Sequence, residues 1–455
     1  MNIQMIQINE IKPAPYNPRK ISDSQFAMLK ESLTHLGFLI PVIVNQRNHI
    51  IIAGHQRTKA AKALGITQIP AVFVDGVNDG DEIKFNQLHN GCDYEIEVTG
   101  SVQQGFDTGF HSVNASLFSV SGTYAPIVKE ICKLLIKYGN VLCAVVCGNT
   151  VVSGMSYIKA CQTLGMDVNI SVADSDQLAM LETYMKQDYG VYSYDGIKRN
   201  TYVQGLAQLF RLPADQKKRQ MKSHLYEDMV FPFLNQNAVR TILDFGCGKG
   251  AYIKTLKPKY KAVGVEFFNN NGKQINLSMG HRMIDDLLSF LAQEDGFDCV
   301  VCDSVLNSVD SMEAEEAILS VLNVFTKRDL FISGRTIESY ESKLKHKKCQ
   351  NIGKRLVDFL DENGMSAMFR EGNWYFQKWH RKEQILSELQ QFGFTVKKIV
   401  WGNGSFQIHA VKAFDLPDAV KRKGLQFEFN LPLPGGKRYE RHKEVIQACE
   451  IAGLL

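Results

Sequence analysis

A chain of 455 residues is longer than one ordinary domain, so two or three cores are expected. Its 45% hydrophobic and 22% charged residues give the balance of a soluble globular protein, and a net charge of +4 is too small to mark a nucleic-acid binder by itself. The opening "MNIQMIQINEIK" is no signal peptide, no apolar run approaches the roughly 18 residues that span a bilayer, and the cysteines lack paired spacing, so a reducing, cytoplasmic setting without membrane contact is expected.

In chain order, Asp23 or Ser24 can cap a first helix in which Phe26, Leu29, Leu33 and Leu36 recur at helical spacing, and Gly37 ends it. "FLIPVIVN" and "HIIIAG" read as strands, "HQRTKAAKALG" as a helix stopped at Gly65, and "IPAVFVD" as a further strand. The turn between "HIIIAG" and its helix combines three features. The first helical turn leaves backbone N–H groups unpaired, Gly54 has no Cβ to keep a ligand away, and Arg57 carries a fork of donors suited to phosphate oxygens. An anion site is one reading. The other is a tight turn beside a solvated arginine.

"YNPRK" (Tyr16 to Lys20), "LKESLTHLGFLIPVIV", "IIAGHQRTKAAKALG" and "IPAVFVD" follow the order and spacing of the ParB/sulfiredoxin-like domain, which this segment resembles over roughly residues 5–90. The resemblance implies that Gly54, His55, Gln56 and Arg57 hold the phosphates of CTP or ATP, with Arg19 as a second basic residue. Sulfiredoxins have cysteine where His55 stands, so reductase chemistry lacks its nucleophile here. The ParB Glu-Asn…Arg box is replaced by "FNQLHN" (Phe85 to Asn90), so metal-dependent CTP hydrolysis is not expected.

A hundred residues on, the frame repeats. Gly54, Lys59, Ala60, Leu64 and Gly65 match Gly154, Lys159, Ala160, Leu164 and Gly165, and "APIVKEICKLLIKYGNVLCAVV" stands where the first helix and strand stood. Residues 123–175 therefore read as a degenerate second ParB-like copy. Tyr157 replaces Arg57, so the fold is expected to persist without the anion chemistry.

"VRTILDFGCGKGAYIKTL" is a strand, a glycine-rich turn and a helix, where a cofactor can lie against backbone. Asp244, Gly246, Gly248 and Gly250 spell D-x-G-x-G-x-G, which resembles the first motif of class I S-adenosylmethionine-dependent methyltransferases. Glu266 ends the next strand about 20 residues on, where a carboxylate can accept from ribose hydroxyls. Asp285 or Asp286 is expected near a third strand as the acceptor for the adenine amine. Further alternation and a closing antiparallel pair complete a Rossmann-like α/β unit with a seven-stranded sheet.

"DFGCGKG", "VVCDSVLNSV", "LFISGRT" and "NWYFQKWHRKEQILSEL" resemble, in order, motifs of the methyltransferases associated with DNA phosphorothioation systems, which implies DNA modification as the context. The D/N-P-P-Y/F motif of amine methylation on bases is absent after strand four, as is the Pro-Cys nucleophile of cytosine C5 chemistry. Asp303 and Asn307 remain the candidate acceptor contacts, with strand end and helix cap as their structural alternative. His380 reads as a helix-start histidine beside Trp379 or as a general base. No metal site is expected, since Cys299 and Cys302 lie in an apolar strand that points them to opposite faces.

The expected organisation is a ParB-like α/β domain (1–92), a degenerate repeat with connecting helices (93–235), a class I methyltransferase domain (236–415) and a basic C-terminal arm (416–455). The basic stretches Lys343 to Arg355 and "KRKG…GGKRYERHK" point to DNA or another nucleic acid as partner, against the alternative of solvated faces. A homodimer through the ParB-like part is expected. Two other readings stay open: a small-molecule or protein methyltransferase, and a non-catalytic, nucleotide-controlled DNA-binding protein.

Overall fold

The computed structural model describes the chain apart from residues 1, 16–18, 78–81, 83–97, 124, 186–190, 193–221, 270–274, 342–343, 347–348, 351–357, 371–372, 403 and 434–435. "FNQLHN" and most of the basic stretch from Lys343 to Arg355 lie outside the described residues. The chain forms two compact units, one built mainly from residues 1–198 and the other mainly from 199–455, with the segments 343–362 and 368–372 belonging to the first.

In the first unit, β1 (Gln4–Gln7), β2 (Val42–Asn45), β3 (Ile51–Ala53) and β4 (Gln68–Val74) form a sheet in the order β1-β4-β2-β3. Helix α1 (Asp23–Leu36) is capped by Ser22, one residue before the expected Asp23 or Ser24: the Ser22 hydroxyl accepts from the Gln25 N–H in a capping box. Leu29 and Leu33, four apart, are its buried positions, packed over Val42, Val44 and Ala60. Helix α2 (His55–Ala63) follows β3.

The repeat has the same plan. Strands β5 (Thr99–Val102), β6 (Gly109–Val113), β7 (Phe118–Ser121), β8 (Ala144–Cys147), β9 (Thr150–Ser153) and β10 (Val168–Ala173) are ordered β6-β10-β8-β9-β5-β7, so the first four repeat β1-β4-β2-β3, and β5 and β7 extend the far edge. Helix α3 (Ala125–Tyr138) corresponds to α1, and α4 (Met155–Leu164) to α2. Gly54 (φ 100°, ψ 18°) and Gly154 (φ 92°, ψ 19°) share one left-handed turn before their helices. Where Arg57 stood, the buried Tyr157 donates to Asn140 Oδ1 at 2.6 Å and accepts from the Asn169 N–H at 2.9 Å. The copies share a core, with Leu36, Leu39 and Ile40 of the first packed on Val145, Cys147, Val152 and Leu181 of the second.

The second unit is Rossmann-like. Strands β11 (Thr241–Phe245), β12 (Lys261–Val265), β13 (Phe297–Asp303), β14 (Thr326–Gly334), β15 (Phe394–Trp401) and β16 (Phe406–Lys412) are ordered β12-β11-β13-β14-β16-β15, parallel up to β14 and antiparallel beyond it. Among the described residues the sheet therefore has six strands rather than the expected seven. The segment expected to lead to a third strand is instead α8 (Leu277–Leu291), numbered after α5 (Leu178–Met185), α6 (Phe231–Gln236) and α7 (Ala251–Leu256). Its buried Ile284, Leu287 and Leu291 follow helical spacing, and β13 is the next strand in the chain.

The segment after 416, expected as an extended arm ending in the short helix "HKEVIQACEIAG", carries that helix and a second one before it. After α9 (Met312–Phe325) and α10 (Lys382–Gln391), it forms α11 (Asp418–Glu428) and α12 (His442–Ile451). Gly424 sets α11 close against α9, because a Cβ there would come within 2.6 Å of Ser320 Cβ. Among the described residues, no helix is long and apolar enough to cross a membrane.

Candidate functional site

The first candidate site is the turn into α2. The structure brings Gly54, His55, Gln56 and Arg57 together there, all half-buried. His55 Nε2 accepts from the Ala14 N–H at 3.0 Å, tying down the preceding loop. The Arg57 guanidinium donates to the Ile40 carbonyl. Arg19 lies in a two-residue strand paired with Val191–Tyr192, and its backbone alone is described.

The second site stands at the carboxyl ends of β11, β12 and β13, the crevice where open α/β sheets take ligands. The turn after β11 needs its glycines: Gly246, Gly248 and Gly250 have φ of 87°, 58° and 70°, and a Cβ on Gly246 would collide with Val305 Cγ2 at 2.2 Å. Glu266, directly after β12, is 4% exposed. One carboxylate oxygen accepts from the Gly248 N–H at 3.0 Å and the other from the Phe268 N–H at 2.8 Å. Burial raises its pKa against those two bonds. Asp244 is fully buried in β11. Burial pushes it up to about 7, the Tyr226 hydroxyl opposes this, and the charges of Asp303 and Glu266 reinforce it. That hydroxyl, stacked ring on ring with Tyr252 at 3.9 Å, has no well-aligned hydrogen bond.

A cavity of about 660 Å³ opens over this turn. Its walls include Gly246, Glu266, Phe267 and Val305 on the sheet side, and Phe427 and Glu428 from α11. The size suits a small-molecule cofactor with room beside it.

Two expectations need correction. Asp285 is not beside a strand: it lies on the exposed side of α8, where it accepts from Arg441 at 2.8 Å. Asp303 and Asn307 do not line the cavity. Asp303 ends β13, accepting from Ser333 and from Ser304, whose φ of 60° turns the chain, while the buried Asn307 gives its carbonyl to Gln377 at 2.6 Å. Val305, Ser308, Val309 and Asp310 of the same turn face the cavity instead. Of the tail cations, Arg422 pairs with Glu450, Arg441 with Asp285 and Glu444, and Lys421 with Asp415 and the Leu454 carbonyl, while Lys423, Lys437 and Lys443 are exposed. What the sequence reading missed is the contribution of α11. Lys421, Gly424, Leu425 and Glu428 are its buried residues, and their i, i+3, i+4, i+7 spacing was present in "KRKGLQFE".

His380 is fully buried. Its Nε2 is 2.6 Å from Glu315 Oε1, and Lys378 Nζ is 3.1 Å from Glu315 Oε2 as an ion pair off hydrogen-bond alignment. This cluster ties the strand Asn373–Lys378 to α9.

The carboxyls over the turn set an expected pH response. Asp244 and Glu428, raised by burial to about 7 and about 8, take up protons on folding, so their contribution to stability is present at low pH and lost as pH rises through those values. The thermal midpoint of the ligand-free chain should fall between about pH 6 and pH 9. A flat or rising midpoint in differential scanning would contradict this assignment.

A glycine turn after a first parallel strand, a buried carboxylate after the second and a ligand-sized cavity define a Rossmann-like unit with a candidate cofactor site, in a chain that also carries a small α/β domain and its copy. Residues 1–90 match the family model of the ParB N-terminal domain, and residues 214–398 that of a methyltransferase domain. The chain is 40% identical over 73 residues to stage 0 sporulation protein J of Bacillus subtilis, a match covering 15% of this chain and 26% of that protein. It is 35% identical over 72 residues to the ParB-like nuclease domain-containing protein YnaK of Escherichia coli, covering 16% of this chain and 82% of that one. It is similar to a solved S-adenosylmethionine-dependent methyltransferase from Clostridium acetobutylicum at 13% identity and a TM-score of 0.31, covering 43% of this chain and 94% of that one. The chain spans 26% and 30% of the lengths of the first two curated relatives. Over its first 90 residues it belongs to the ParB-like family, and residues 214–398 carry a methyltransferase domain.

Proposed function

We propose that the second unit binds S-adenosylmethionine along the Gly246–Gly250 turn and transfers its methyl group inside the cavity, with the ParB-like domain tying this activity to DNA modification. The observation that carries the donor reading is Glu266, a buried carboxylate fixed by the Gly248 and Phe268 N–H groups on the wall of a cavity that also exposes Gly246. The donor supplies a methyl carbon already activated on a sulfonium. The chain's part is to orient and to exclude water. Glu266 would accept from ribose hydroxyls, and the glycines admit the cofactor against backbone. Phe267, Val305 and Val309 supply apolar wall, while Ser308 and Asp310 take over the acceptor contacts expected of Asp303 and Asn307.

In the ParB-like domain, Gly54, His55, Gln56 and Arg57 would seat the phosphates of CTP or ATP, Arg57 exchanging the Ile40 carbonyl for phosphate oxygens. DNA association and dimerisation through this domain are part of the same proposal. A second reading keeps the methyltransferase but makes the acceptor a small molecule or protein. It is favoured by Lys421, Arg422 and Arg441 of the tail being held by carboxylates and a carbonyl, and by acidic side chains in the cavity.

Calorimetry on the full chain with S-adenosylmethionine, CTP and ATP tests these assignments together. Binding of the first, with CTP or ATP binding lost in Arg57→Ala, is the expected result. No heat with S-adenosylmethionine leaves only a DNA-binding protein, and no heat with either nucleotide removes the phosphate role of the Gly54 turn.

A further inference from the structure

The buried face of α11 includes two charged side chains with opposite fates. Lys421 is answered by the Leu454 carbonyl at 2.9 Å and the Asp415 carboxylate at 3.5 Å. Glu428 is 3% exposed, and no described residue hydrogen-bonds or ion-pairs with its carboxylate. A carboxylate taken that far out of water without a partner is costly. The fold keeps it there on a helix whose neighbouring positions are Leu425 and Phe429, either of which shows that an apolar side chain suits this face.

Glu428 opens into the same cavity as Gly246 and Glu266. Four carboxylates, Glu266, Asp310, Glu313 and Glu428, line that cavity against two cations, Lys423 and Arg438. Glu266 is bound to backbone N–H groups and Arg438 donates to the Asn430 carbonyl. The acidic balance repels a phosphate-bearing acceptor and attracts a cation.

We propose that Glu428 is the acceptor-side base of the cavity, receiving the ammonium group of a small aliphatic amine and taking its proton before methyl transfer. The proposal rests on the donor reading above and, for the acceptor, takes the second reading, a small molecule, whose class it names. An aliphatic amine enters protonated and has no lone pair to offer. Glu428 accepts one N–H proton, the freed lone pair forms the new N–C bond, and the breaking C–S bond leaves its electron pair on sulfur. The product is a methylated ammonium, and the proton on Glu428 passes to solvent. Burial, then the charge of Asp310, raises the carboxyl to about 8, closer to an amine than an ordinary glutamate is, which suits proton exchange between them.

The test needs no knowledge of the natural acceptor. Sinefungin carries an amine-bearing carbon where the donor has its sulfonium and methyl, so it presents an ammonium at the reacting position. S-Adenosylhomocysteine presents none. By calorimetry on the full chain at about pH 8.5, sinefungin should bind about tenfold more tightly than S-adenosylhomocysteine, the effect of one charge pair in a partly desolvated site. Glu428→Gln should remove that preference while keeping S-adenosylhomocysteine affinity within about twofold, which also reports that the variant is folded. Equal affinities in the unaltered protein, or a preference that survives Glu428→Gln, overturn the assignment while sparing the donor reading. If neither nucleoside binds, the donor reading falls and this proposal with it.

Discussion

Glu266→Ala is expected to weaken S-adenosylmethionine binding about 100-fold or more, equivalent to about 2.7 kcal/mol. The carboxylate accepts from two backbone N–H groups, Gly248 and Phe268. Its removal leaves both donors unanswered at roughly 1–3 kcal/mol each, loosens the glycine turn and deletes the proposed acceptor for the ribose. Glu266→Gln retains one oxygen and should lose only about tenfold. Isothermal calorimetry measures both, and circular dichroism establishes that the variants fold. Affinity within about threefold of the unaltered chain for the alanine variant would place the donor elsewhere.

The second large effect is on stability. Glu315, Lys378 and His380 are each no more than 1% exposed. Burial alone would push the Glu315 carboxyl up, but the His380 and Lys378 charges outweigh it and hold it below its ordinary value. Glu315→Ala strands the Lys378 charge in the interior, at a cost of about 3–5 kcal/mol. In a unit of this size that lowers the melting midpoint by roughly 10 °C. Replacing all three by apolar residues of similar volume should recover most of the loss, because the whole set then leaves together. The sign with pH opposes that of the cavity acids: Glu315 stabilises fully above about pH 4.3 and loses its contribution as pH falls through its lowered folded value. A triple variant no more stable than Glu315→Ala would mean that the cluster fixes geometry that packing cannot replace.

Local pattern carried much of this into the sequence. The glycine turn, Glu266 and the repeat of the Gly54 frame at Gly154 were legible because each depends on a few neighbouring residues whose backbone demands are specific. Asp285 was misplaced because "MIDDLLSFL" has apolar residues dense enough to pass for a helix running into a strand, whereas Ile284, Leu287 and Leu291 turn one continuous helix to the core. Asp303 and Asn307 were expected as acceptor contacts, but which way a turn aims its side chains depends on Ser304 adopting positive φ, which serine does not advertise. Glu428 was hidden for a different reason. A glutamate in a basic tail reads as solvated, and its burial follows from α11 docking on α9 across Gly424, a tertiary contact between segments about a hundred residues apart.

The order of synthesis gives that docking a temporal meaning. A ribosome completes the last sheet strand at Lys412 before it makes Lys423 through Arg438, which finish the enclosure around the glycine turn. A nascent chain paused between those points would display the turn with one side bare. Until the final helices fold back, the cavity proposed to hold the donor lacks the wall that Lys423 through Arg438 supply.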